Sequence, residues 1–358
     1  MRFRDVLDLA RLPYFEAGAG DRLVLADPSL GPTIDMHTHV SQAYVVPSRV
    51  DIERETPRTE HYLPVRGRAL DLEGYQNRNL TAADLRRMRL DLTLGVFRAR
   101  GPRATHTLPN LAREMRDLGI AASVLLPIDF PVLSENARTV LRAVAGRPGL
   151  VGFGSVHPFA RDIEAKLDEQ VALGARGIKV HPAVQVVAPD HPRTIRLCRL
   201  CGERRLPVLF HCGPVDIEPP LGRRLSQVPR YERAIAECPE TVFVLGHSGA
   251  LQMERALDLA VRYPHVWLEL SGQSLANVRR ILAEADPDRV VFGTDWPWYP
   301  QAIGLAKVFL ATEGGPAGLR RQVLYGNAAR LLGLEPEPAD PSRATMSPGS
   351  ESRLARVT

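Results

Sequence analysis

The sequence predicts an α/β protein, a (β/α)8 barrel of the TIM type with an insertion after its first strand and a disordered C-terminal tail. Three observations carry that expectation. From residue 105 onward, short and almost continuously apolar runs alternate with helical segments, as strands do when a parallel sheet is covered on both faces. With the strand at residues 34–40, eight such runs can be counted, the number a closed barrel needs. No glycine-rich phosphate loop follows an early strand, so the alternative of an open doubly wound sheet lacks its best support.

Residues 1–32 read as a preface, with a short amphipathic helix around 5–12 and turn-rich sequence after it. The first barrel strand follows the Gly31-Pro32 break and opens a domain that should run over 33–334. An insertion over 41–105 comes next, rich in Arg, Pro and Tyr, its clearest helix near 82–94 with Thr81 as N-cap. Connections this long usually cover a functional site, so the insertion reads as a lid or as the contact of a homodimer. Helices then alternate with strands at 121–127, 150–156, 177–181, 207–211, 242–247, 266–270 and 290–295, and two helices near 303–311 and 319–332 close the domain. The stretch 335–358, rich in Pro, Ser and charge, reads as a disordered tail.

Composition narrows the function. A chain of 358 residues, 44% hydrophobic and 24% charged, can bury a large core, and it holds no apolar run of membrane-spanning length. The first residues lack the charged-then-apolar pattern of a signal peptide, so the expected compartment is cytoplasmic. The net charge of +5 comes from arginines spread among acids rather than from a basic run, which argues against nucleic acid as a partner. Lysine stands only at Lys166, Lys179 and Lys307, so Lys179 inside an apolar strand draws notice. The four cysteines form no disulfide framework, and Cys198-x-x-Cys201 lies in a helical pattern with no second pair to complete a zinc site.

The chemistry gathers at the strand ends. In a strand, residues i and i+2 point the same way, so His37 and His39 should project to one face, close enough to chelate one metal ion. His157, Lys179, His181, His211, His247 and Asp295 also stand where barrel strands end, the side on which such folds carry their sites. Neutral imidazoles with a carboxylate are a ligand set for zinc or a similar divalent ion. Each residue alone also has a structural reading: His157 and His181 precede proline and suit turns, and Glu269 can be held in the interior or face the helices.

This ordered set resembles the amidohydrolase superfamily. Ile34-Asp35-Met36-His37-Thr38-His39, Gly177-Ile178-Lys179-Val180-His181-Pro182, Leu245-Gly246-His247-Ser248-Gly249 and Phe292-Gly293-Thr294-Asp295-Trp296-Pro297 look like its amidohydrolase-related branch. That branch includes metal-dependent hydrolases and decarboxylases similar to aminocarboxymuconate semialdehyde decarboxylase. The resemblance implies one divalent ion, zinc first and manganese as alternative, held by His37, His39, His211 and Asp295. It implies that His247 and Asp295 handle the proton of the activated water, and that Lys179, His181 and His157 contact a small, anionic substrate. In binuclear members of the wider superfamily a carboxylated lysine bridges two metals, which keeps a second role open for Lys179. Hydrolysis of a C–O or C–N bond is the first expected reaction. Non-oxidative decarboxylation of an unsaturated or aromatic acid is the second, with Arg98, Arg100, Arg103 and Lys179 as candidate anion clamps. A barrel kept only for binding fits least, because buried unpaired polar groups are costly.

Overall fold

A computed structural model describes residues 1–43, 48–93, 97, 99–130 and 134–334, so the expected tail and Arg98 lie outside the described residues. Eight parallel strands form the centre: β1 (Thr33–Thr38), β2 (Ile120–Leu125), β3 (Leu150–Gly152), β4 (Ile178–Val180), β5 (Val208–His211), β6 (Phe243–Gly246), β7 (Val266–Glu269) and β8 (Val290–Val291). β1, β2 and β3 pair in that order, and β4 to β8 pair in order as a second run. Single bridges join the two runs, Gly154 to Ile178 on one side and Thr38 to Trp296 on the other, and the sheet closes. The backbone amides of Met36 and His39 complete the seam by donating to Phe292 and Trp296 carbonyls at 2.9 and 2.7 Å. The protein is a TIM barrel.

Strand alternation sorts the apolar side chains. Ile34, Val124, Phe153, Leu209, Val244, Trp267 and Val291 fill the interior, and Ala328, Ala329 and Leu332 of the last helix pack against the same cluster. Their neighbours Ile178, Val208, Phe210, Phe243, Leu245, Val266 and Leu268 face outward into the larger core beneath the helices. β1 departs from strict alternation. Its register against β2 shifts between Asp35 and Thr38, and both Met36 and His37 reach the inside.

The helices start where the sequence marks them. Ala82–Thr93, here α1, is opened by a reciprocal pair: Thr81 Oγ1 accepts from the Asp84 amide at 3.2 Å, and Asp84 Oδ2 accepts from the Thr81 amide at 3.0 Å. Ser274 caps Leu275–Glu284 through the Asn277 amide at 3.1 Å. The turn-rich reading of the preface becomes a two-stranded hairpin, Phe15–Ala17 with Leu23–Leu25, while Arg2–Phe3 pairs antiparallel with Leu70–Asp71 of the insertion. The helical pattern near 319–332 is interrupted by a π-helical stretch, Gln322–Gly326. All four cysteines are buried and free. Among the described residues, no helix is long and apolar enough to cross a membrane.

Candidate metal centre

The C-terminal ends of β1, β4, β5 and β6, with the loop after β8, surround one cavity of about 310 Å³. His37, His39, Lys179, His181, His211, His247 and Asp295 all line it. Room for the His37 ring depends on a glycine: a Cβ at Gly293 would meet a Glu269 carboxylate oxygen at 2.2 Å and the His37 Cβ at 2.9 Å. Asp295 sits in the loop in a left-handed conformation (φ 63°), which its amide holds by donating to the His37 carbonyl at 2.8 Å. Non-glycine residues rarely adopt such backbone except where a site over-determines it. Asp35 fixes the same loop from behind, accepting from the Thr294 amide at 3.0 Å and from Gln301 Nε2 at 2.7 Å.

Among the described residues two groups of possible donors lie within 4.8 Å of one another: His37, His247 and Glu269, which share the hydrogen-bond network, and His37, His39 and Asp295, whose Nε2 and Oδ1 atoms face the cavity. Asp295 Oδ1 is 3.4 Å from His39 Nε2 and 3.7 Å from His37 Nε2. Ligand bonds of about 2.0–2.1 Å in a tetrahedral zinc site set neighbouring donor atoms roughly 3.3 Å apart, so this spacing fits a divalent ion.

The hydrogen-bond network assigns the tautomers, and they are those a metal requires. His39 Nδ1 donates to the Leu126 carbonyl at 2.8 Å, and His37 Nδ1 donates to Glu269 Oε2 at 2.7 Å. His39 Nε2 is therefore left with a free lone pair, and the lone pair of His37 Nε2 accepts from the Lys179 ammonium at 3.2 Å. Glu269 Oε2 also accepts from Ser271 Oγ at 2.8 Å, which leaves that oxygen to accept from His247 Nδ1, also at 2.8 Å. His247 Nε2 is then the acceptor for His211 Nδ1 at 3.1 Å. One chain of hydrogen bonds thus runs from β5 through β6 and β7 to β1.

Burial keeps the His37, His211 and His247 imidazoles neutral. Desolvation and, next, the Lys179 ammonium hold His37 well below its ordinary range; desolvation and the neighbouring His181 do the same for His211. Burial lowers His247 to about 4 and Lys179 to about 8, and it raises Glu269 to about 7. Lys179 Nζ points into the centre, 3.2 Å from His37 Nε2.

Not every residue named from the sequence joins the close group. His211 faces the cavity, with its Nδ1 donating to His247 and its ring stacked on His181 at 4.0 Å between centroids, but it belongs to no tight donor cluster among the described residues. His181 caps the helix Pro182–Gln185 and lines the cavity. His157 lies apart: its Nε2 donates to the Gln185 carbonyl at 3.0 Å and its Nδ1 accepts from the Phe159 amide at 3.1 Å. With both ring nitrogens used by backbone, it holds a turn, which corrects its expected contact with substrate. Arg103 is buried against Gln42, and Arg100 is exposed, so neither lines the cavity. Glu269 and Ser271 carry the network and were not legible as site residues. Trp298 and Tyr299 line the cavity, while Trp296 is buried and donates to Glu114 Oε2 at 3.1 Å.

A 4-sulfomuconolactone hydrolase of Hydrogenophaga intermedia is 26% identical over 166 residues, 38% of this chain and 50% of that one, so the match spans half the length of this curated relative. An uncharacterised TIM-barrel protein of Bordetella bronchiseptica superposes with a TM-score of 0.59 at 20% identity, over 85% of this chain and 99% of its own. The IDCase of Metarhizium anisopliae, in apo form, superposes with a TM-score of 0.55 at 19% identity, over 85% and 98%. The family model described as Amidohydrolase matches residues 34–334, and the chain belongs to that family of enzymes.

Proposed function

We propose that the protein is a divalent-metal-dependent hydrolase that cleaves a C–O or C–N bond of a small anionic substrate, a lactone or ester first. The observation that carries this reading is the convergence of His37 Nε2, His39 Nε2 and Asp295 Oδ1, with both imidazole tautomers fixed from behind. Zinc is the first ion expected for this nitrogen and oxygen set, with manganese as the alternative. When bound, the ion supplies Lewis acidity toward water and the substrate carbonyl. The protein supplies the rest. Asp295 accepts the proton of the attacking water, and His247, neutral at working pH, takes or returns a proton beside it.

The cavity selects the substrate. Met88, Leu92, Ile128, Val184, Val215 and Ile217 give it apolar walls, with Lys179 at depth and the exposed Arg89 of α1 among its lining. An apolar body carrying an anionic group suits that distribution, and a lactone acid is such a molecule; the curated relative is named for a sulfonated one. Lys179 supports a second reading. A cation 3.2 Å from His37 could clamp a carboxylate at the reacting carbon, as decarboxylation of an unsaturated acid would require.

Incubating the metal-loaded protein with lactones and esters beside unsaturated and aromatic acids separates the two. Release of acid from the former is expected. Carbon dioxide alone, from the latter, overturns the hydrolase reading.

A further inference from the structure

We propose that Tyr75, from the insertion, donates its phenol O–H to the substrate oxygen that gains negative charge during the reaction. This rests on the hydrolase reading and names a residue for it.

Tyr75 is only 6% exposed and lines the same cavity as His247 and Asp295. Its ring packs with Val215 and Ala250 in a small apolar cluster, flanked by Ile217 and Leu251. The insertion backbone is tied down beside it: the Gln76 amide donates to the Gly272 carbonyl at 2.9 Å. Gly272 (φ +74°) lets the phenol reach the rim above β7, because a Cβ there would lie 2.9 Å from the tyrosine oxygen. The residue just before Gly272 belongs to the proton network, with Ser271 Oγ 2.8 Å from His247 Nδ1.

The other phenol of this wall is satisfied. Tyr299 donates to Asn77 Oδ1, and Asn77 Nδ2 donates to the Val215 carbonyl at 2.8 Å. The Tyr75 hydroxyl has no hydrogen-bond partner among the described residues. The hydroxyl is not one of the sealed, unpartnered side-chain atoms, so it opens on the cavity that the residue lines. No hydrogen bond of the fold among the described residues uses it, which leaves it for whatever enters the cavity. Burial, followed by the nearby Tyr299 and Asp295, keeps the phenol well above its ordinary range, so it stays a donor. A pre-aimed donor strengthens its bond as charge develops on the acceptor, and no covalent step is needed.

The test is Tyr75→Phe in the metal-loaded protein. On the lactone and ester panel kcat is expected to fall about 100-fold, the usual loss of one such donor, with KM changed by less than about threefold. Affinity for a methyl phenylphosphonate probe, a tetrahedral anion, should fall about tenfold or more by calorimetry, while the melting temperature and metal content stay at wild-type values. Wild-type kcat with an intact fold overturns the proposal, and so does a loss carried by KM alone. If wild-type protein only releases carbon dioxide, the hydrolase reading fails by itself, and the wild-type to variant ratio read on that reaction decides the role of Tyr75 separately.

Discussion

His37 works at both ends of its ring: Nδ1 gives its proton to Glu269, and Nε2 faces the other donors. Glu269 is thus a positioning residue, and an isosteric amide should loosen the metal without emptying the core. Glu269→Gln is expected to weaken zinc binding about 10–100-fold, read by competition with a chromogenic chelator; unchanged affinity would show that the Glu269 contact does not orient the ligand. At this scale the sequence shows the histidines, Lys179 and Asp295, because each ends an apolar strand and breaks its pattern. Glu269 sits inside such a run, with either face of β7 open to it until the barrel closes. Ser271 and Tyr75 lie in loops without periodicity, and what they face depends on residues far away in the chain.

At the scale of elements, α1 carries Met88, Arg89 and Leu92 to the cavity, and its anchorage is a capping pair reinforced by Arg68 Nε, 2.7 Å from Asp84 Oδ2. Asp84→Ala should cost about 1–2 kcal/mol in urea unfolding and expose the insertion to limited proteolysis. A full-stability, protease-resistant variant would mean that other contacts hold α1. Arg89→Ala tests the charge of the wall: KM for an anionic lactone should rise about tenfold or more, with little change for a neutral ester. Equal effects on both would remove Arg89 from anion recognition. The sequence marks α1 through Thr81 and places the insertion over the site, since capping chemistry is local. It gives no hint that the preface pairs with Leu70–Asp71 or that β1 shifts register near His37, both of which follow from long-range packing.

On the scale of the whole molecule, one buried amine ties separate parts together. Lys307 Nζ, on the helix Gln301–Thr312, donates to Gln76 Oε1 at 3.0 Å and to the Gln273 carbonyl at 2.6 Å. Gln273 Nε2 in turn donates to the His247 carbonyl at 2.6 Å. Burial lowers the Lys307 pKa to about 7. A base lowered on folding binds fewer protons in the native state, so its contribution to stability is present above the unfolded pKa and is lost as pH falls toward 7. Wild-type stability should therefore rise by about 2 kcal/mol from pH 7 to 9 relative to Lys307→Met, measured by denaturant unfolding. Parallel pH profiles for the two proteins would contradict a lowered amine. The barrel itself was legible from the alternation of apolar runs and helices, because eight two-face-buried strands leave few other ways to pack.

The central claim is that His37, His39 and Asp295 share one divalent ion. The most direct measurement is calorimetric titration of zinc into metal-free protein, alongside His39→Ala and Asp295→Ala. The expected result is one equivalent bound tightly by the wild type, with affinity falling at least about 100-fold in each variant. Equal tight binding by all three proteins, or none by the wild type, would contradict it.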